Sequence, residues 1–221
     1  MHHINSLDFT AWQTRLAAIA SSHAGDDGAH DMSHLHRVWR NASGLLEATP
    51  QADALVVLAA CYLHDVVNLP KNHPEREQAS RRAAELATTA LRTEQFPEEK
   101  LQSVAHAIEA HSYSGGIAPQ TIEAKIVQDA DRLDALGAVG LARMFYIAGR
   151  MGSALAHPSD PLARERESDD RTYALDHISC KLEKLPATMQ TEAGRALAEA
   201  RLAWLHGFRD VFVAEWNGAG C

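Results

Sequence analysis

Four side chains in this 221-residue sequence are of the right type to share one cation: His34, His64, Asp65 and Asp131. His64 and Asp65 follow the most apolar run of the chain, Ala54-Leu-Val-Val-Leu-Ala-Ala-Cys-Tyr-Leu63, which should be buried. A carboxylate at the end of such a run is unstable there without a cation or close hydrogen-bond partners. His34 upstream and Asp131 downstream complete a set drawn from three separate segments. A mixed imidazole–carboxylate set suits Mn²⁺, Fe²⁺, Co²⁺, Ni²⁺ or Zn²⁺ better than Ca²⁺. Four protein ligands on a six-coordinate ion leave positions for water or a phosphate oxygen, which is what hydrolysis requires.

The elements that must position these residues read as helices nearly throughout. Ala, Leu, Arg, Glu and Gln dominate, and alternating β-branched stretches are absent. Helices are expected over 7–22, from a cap at Asp31 or Ser33 to about Leu46, over 52–64, from Pro74 to about Leu91, and from Pro97 to about His111. A long helical pattern from Thr121 to about Arg150 should break or kink at Gly137 and Gly140. Residues 152–172 carry Pro158, Pro161 and the cluster Arg164-Glu-Arg-Glu-Ser-Asp-Asp-Arg171, and read as a mobile surface loop or lid. Two closing helices follow, near 173–185 and 191–216. The simplest architecture is one all-α domain over residues 1–221.

Bulk properties narrow the function classes. The formal net charge of −8 and the pI near 5.9 argue against a nucleic-acid surface. Three cysteines without CxxC spacing fit a reduced, cytoplasmic setting better than a disulfide framework. The first residues have neither the basic nor the apolar region of a signal peptide, and no apolar run reaches the ~20 residues of a membrane span. No nucleic acid and no membrane is expected as a partner, and a homodimer is left open.

Neighbouring residues sort by helical position. Asp129 lies two residues before Asp131 and should point elsewhere, into a structural pair. His30 sits at a helix start, and His36 should face away from His34. Arg37, three residues after His34, shares a similar face and could hold a phosphate or form an ion pair. Lys71, in the loop after His64-Asp65, is a candidate phosphate contact.

The pattern H…HD…D, with the flanking text Leu-His-Asp, Ala-Asp-Arg-Leu and His-Xaa-Xaa-Arg-Val, resembles the HD-domain metal-dependent phosphohydrolases. The resemblance is strong from residue 30 to about 140. It implies an HD-type helical fold and a divalent metal on His34, His64, Asp65 and Asp131, with Mn²⁺ favoured and Mg²⁺, Co²⁺, Ni²⁺, Fe²⁺ or Zn²⁺ as options. It also implies that the helix of His106 and His111 borders the site. His111 is then a phosphate or proton contact, and a second metal would use histidines there. The segment Tyr173-Ala-Leu-Asp-His-Ile-Ser-Cys-Lys181 resembles a narrower bacterial branch that cleaves nucleoside triphosphates, and it makes Lys181 a phosphate binder. Asn68 departs from the family, which often carries a Glu there to activate water, so the general base stays unassigned. The expected reaction is attack of metal-bound water on a (deoxy)nucleoside triphosphate, giving monophosphate and pyrophosphate. The alternatives are another phosphomonoester or phosphodiester hydrolase, a di-iron oxygenase, and a non-catalytic nucleotide- or metal-binding regulator.

Overall fold

A helix that is apolar on every face has to be enclosed by others. The third helix, α3 (Ala54–Leu63), is such a helix: every residue from Leu55 to Leu63 is buried. Its start is fixed by Asp53, whose Oδ1 accepts the backbone N–H of Leu55 at 3.0 Å and of Val56 at 3.3 Å. Lys100 donates to the other oxygen of the same carboxylate, and the Asp53 N–H donates to Glu123 Oε1 at 2.9 Å. Its end is His64, which continues the helical backbone as the C-cap. The functional doublet therefore sits where the most deeply buried helix runs out.

The computed structural model describes residues 6–23, 31–67, 69, 75–112 and 115–218. They divide into two compact units, within residues 1–131 and 132–221. In the first unit α1 (Ser6–His23), α2 (Met32–Glu47) and α5 (Leu101–His111) pack on α3, and α4 (Ala79–Thr93) packs on α5. Asp31 caps α2 by accepting the His34 N–H at 2.9 Å. The buried stripe of α2 is His34, Leu35, Val38, Ala42 and Leu45, one face of a helix. His34 thus faces inward because it lies on the apolar stripe. The sixth helix, α6 (Ile122–Asp134), carries Asp131, and Asn41 of α2 ties it down by donating to the Ala130 carbonyl at 3.1 Å.

The second unit begins at the end of α6, where Arg201 donates to the Leu133 carbonyl at 2.6 Å and Arg143 pairs with buried Asp134 at 2.7 Å. Cations there complement the unsatisfied carbonyls of a helix C-terminus. The expected break before α7 (Gly137–Met151) occurs: Gly137 has φ +73°, and a Cβ on Gly140 would fall 2.2 Å from the Ala135 carbonyl. The chain closes with α8 (His177–Cys180) and α9 (Glu192–Trp216), the latter capped by Thr191 on the Gly194 N–H at 3.0 Å.

Three expectations need correction. Pro74 lies outside the described residues, and the α-helix expected from it begins at Ala79, after a 3₁₀ turn over Arg76–Gln78. The single helix expected over 173–185 is a string of short turns around α8. Lys181 leaves helical backbone at φ −133°, and Pro186 lacks the N–H a continuing helix needs. The segment 152–172, read as a mobile loop, is pinned from within. Arg166 forms a two-pronged pair with buried Asp176 at 2.6 and 2.8 Å, lies over the Tyr173 ring, and donates to the Asp160 carbonyl. The Asp169 N–H adds a third bond to Asp176 at 2.7 Å. Within the charge cluster Arg166 is drawn inward because a buried carboxylate at the next turn needs it, while Arg164, Glu165, Glu167 and Arg171 stay exposed.

No described helix is long and apolar enough to cross a membrane. The Asp53 cap should be the most sensitive polar position in the frame of α3. Asp53→Ala is expected to lower stability by about 1–2 kcal/mol, read as a fall in thermal midpoint with helical content retained below it.

Candidate metal centre

The structure gathers His34, His64 and Asp131 into one cluster and sets Asp65 beside the two imidazoles. His34 Nε2 lies 3.3 Å from His64 Nε2, 3.7 Å from Asp65 Oδ2 and 3.5 Å from Asp131 Oδ1. His64 Nε2 lies 3.5 Å from Asp65 Oδ2 and 3.8 Å from Asp131 Oδ1. Atoms bound at about 2.0–2.2 Å to a common ion stand roughly 3–3.6 Å apart, so this spacing fits a shared cation. The imidazoles form the floor, each 1 % exposed, and the carboxylates form the mouth, with Asp65 19 % and Asp131 30 % exposed.

Backbone carbonyls set the ring nitrogens. His64 Nδ1 donates to the Cys61 carbonyl at 2.9 Å, which leaves the Nε2 lone pair facing the carboxylates. His111, at the end of α5, does the same through the Ile108 carbonyl at 2.5 Å. Its Nε2 lies 3.6 Å from Asp65 Oδ1, the oxygen turned away from His34 and His64. Asp65 therefore sets Oδ2 beside His34 and His64 and Oδ1 beside His111, and the potential ligand atoms form two tight groups that share His64: His34–His64–Asp131 and His64–Asp65–His111.

Burial pushes His64 down to about 4, against the pull of Asp65 and Asp131, so it is a neutral ligand-ready imidazole at pH 7. Burial alone would raise Asp65, but His64, His111 and His34 together hold it well below the usual carboxylate range. Burial would also lower His111, yet its hydrogen bond to Asp65 and the charges of Asp65 and Asp131 raise it. Burial, then Asp131, pushes the Cys61 thiol up, so it stays protonated.

The remaining expected residues fall in different places. Arg37 lies one turn beyond His34 on α2, half-buried. Lys71, Asn68 and His30 lie outside the described residues. Lys181 is exposed in the second unit, at the C-cap of α8. His106 is not in the cluster: its Nε2 accepts the Gln120 N–H at 2.9 Å and holds the start of α6's approach. Asp129 is fully buried and is absent from both ligand groups, and His36 shares a hydrogen bond with the Tyr62 hydroxyl at 2.8 Å. Two supporting residues escaped the sequence reading: Asn41, beside Asp131, and Gln128, which donates to the Ala110 carbonyl at 2.6 Å beside His111. Gln128 had a legible signal, a polar residue one turn before Asp131 on the same helix face.

Comparison with known proteins places this geometry in context. The HD domain model matches residues 32–136, inside the expected core of 30 to about 140. A Bacillus subtilis (strain 168) protein described as uncharacterized protein YpgQ is 33 % identical over 194 residues, covering 86 % of this chain and 84 % of that one. A Bacillus thuringiensis structure described as an HD-superfamily hydrolase is 31 % identical with a TM-score of 0.70, covering 96 % of this chain and 97 % of that one. The structure of B. subtilis YpgQ in complex with ADP is 28 % identical with a TM-score of 0.67, covering 93 % of each chain.

The depressed His64 fixes a pH response of the chelated protein. Between about pH 6.5 and pH 4 the unfolded chain takes up a proton at this position and the folded chain does not, so stability falls on acidification. The contribution is complete above 6.5 and lost toward 4. Asp65 acts in the same direction at lower pH, and His111 opposes it. Urea titrations should show wild type losing on the order of 2–3 kcal/mol more than His64→Gln across that window. Parallel losses in the two proteins would remove His64 as the source.

Proposed function

The chain belongs to the HD-domain hydrolase superfamily, and from that premise we propose a divalent-metal-dependent phosphohydrolase that cleaves (deoxy)nucleoside triphosphates to monophosphate and pyrophosphate. The observation that carries the reading is the pair of buried imidazoles, His34 and His64, with Asp65 and Asp131 each within 3.5–3.8 Å of both and open on their outer sides. The ADP complex of YpgQ supports a nucleotide as the ligand class. Free thiols at Cys61 and Cys180 fit a cytoplasmic setting.

In this reading the four residues hold the ion, with Mn²⁺ favoured. When bound, the ion supplies Lewis acidity, lowering the pKa of water at its open positions and offsetting charge on a phosphoryl oxygen. The buried imidazoles exclude bulk water from one side, so substrate approaches over Asp65 and Asp131. His111 holds a proton at Nε2, where Asp65 favours it, and presents that N–H to a phosphate oxygen. Arg37 and Lys71 supply positive charge for the remaining phosphates, which an acidic chain must concentrate locally.

One observation favours a second reading. Asp65 turns Oδ2 to His34 and His64 and Oδ1 to His111, the arrangement a carboxylate bridging two metals would have. Two iron ions held this way would open oxygen chemistry.

The test is a panel of ribo- and deoxyribonucleoside triphosphates against Mn²⁺, Mg²⁺, Co²⁺, Ni²⁺, Fe²⁺ and Zn²⁺, with products identified by phosphorus NMR. Monophosphate and pyrophosphate are expected, and chelation should abolish turnover. His64→Ala and Asp65→Ala should each lose at least about 10³-fold in kcat/KM while circular dichroism stays helical. Release of inorganic phosphate alone would move the activity to another phosphoester class. Oxygen consumption with two bound irons and no phosphoester cleavage would establish the second reading.

A further inference from the structure

A helix ends with carbonyls that lack partners, and α5 ends at His111, inside the site. Two of those carbonyls are taken. His111 Nδ1 donates to the Ile108 carbonyl at 2.5 Å, and Gln128 Nε2 donates to the Ala110 carbonyl at 2.6 Å. The second bond comes from α6, one turn before Asp131, so a single amide joins the backbone next to His111 to the helix that bears Asp131.

That amide is an uneconomical choice for packing. Gln128 is 3 % exposed, and its Oε1 is buried with no hydrogen-bond partner. A buried carbonyl oxygen left unpaired destabilises the fold, and a Met or Leu of similar size would fill the space without it. Its one donated bond is what an apolar residue would lose.

We infer that Gln128 is a positioning residue for His111: its side chain anchors the last turn of α5 so that the His111 ring keeps Nε2 turned to Asp65. His111 is the last helical residue of α5, because the next residue, Ser112, already has extended backbone at φ −72°, ψ 127°, so the ring sits on a helix terminus. The ring meets His64 edge-on with centroids 4.7 Å apart, so a small rotation of the helix end would separate its Nε2 from Asp65 Oδ1. The kinetic consequence rests on the phosphohydrolase reading; the ring geometry does not.

The experiment combines Gln128→Met, His111→Ala and their double mutant. In chelated wild type, ¹⁵N spectra of the imidazoles should show His111 as one species that carries a proton on Nδ1. In Gln128→Met that signal should broaden or split, while the thermal midpoint changes little, because the substitution removes one unpaired buried oxygen, Gln128 Oε1, and leaves another, the Ala110 carbonyl, without its donor. Mn²⁺ affinity should stay within about twofold, kcat should fall about tenfold with KM little changed, and in the His111→Ala background the same substitution should add less than about twofold. An unaltered His111 signal, or an effect fully additive with His111→Ala, would overturn the inference. If no phosphoester is cleaved by any of the proteins, the function is wrong and the imidazole spectra alone still decide the role of Gln128.

Discussion

The first unit depends on one electrostatic constraint. Two imidazoles meet each other and two carboxylates at 3.3–3.8 Å at the end of a wholly apolar helix. Such an assembly is poorly matched to itself: the imidazoles are buried, and burial drives His64 toward its neutral form beside two carboxylates that favour the charged one. A divalent cation resolves all of these at once, because it accepts the lone pair of a neutral imidazole and the charge of a carboxylate in the same place.

The surrounding helices exist to hold that point. Asp53 starts α3 in register, so the helix ends with His64 inside and Asp65 at the rim. Asp31 starts α2, so His34 falls on its buried stripe. Asn41 and Gln128 then fasten α6 to α2 and to α5 through backbone carbonyls adjoining Asp131 and His111. The contacts are all to main chain, which fixes where a helix lies without competing for the ligand atoms themselves.

Much of this was legible in the residues. The apolar run before His64-Asp65 announced a buried helix with an unstable polar end, and the stripe spacing of α2 put His34 on the inner face. Asp31 and Gly137 announced their boundaries through capping and turn chemistry. What stayed hidden depends on partners distant in sequence. The inward role of Arg166 among the exposed charges of 164–171 was hidden because nothing local reveals that Asp176 is buried and claims it. His106 and His111 looked equivalent by spacing on one helix; only the return of the chain at Gln120 shows that His106 is occupied elsewhere. The short turns after Tyr173 hid behind a helical composition until Lys181 left helical backbone ahead of Pro186.

Anomalous diffraction from a crystal grown with Mn²⁺ addresses the central claim most directly. A peak about 2.0–2.3 Å from His34 Nε2, His64 Nε2, one Asp65 oxygen and one Asp131 oxygen is the expected result. A fully occupied peak elsewhere on the protein, with those four side chains bonded only to one another, would contradict it.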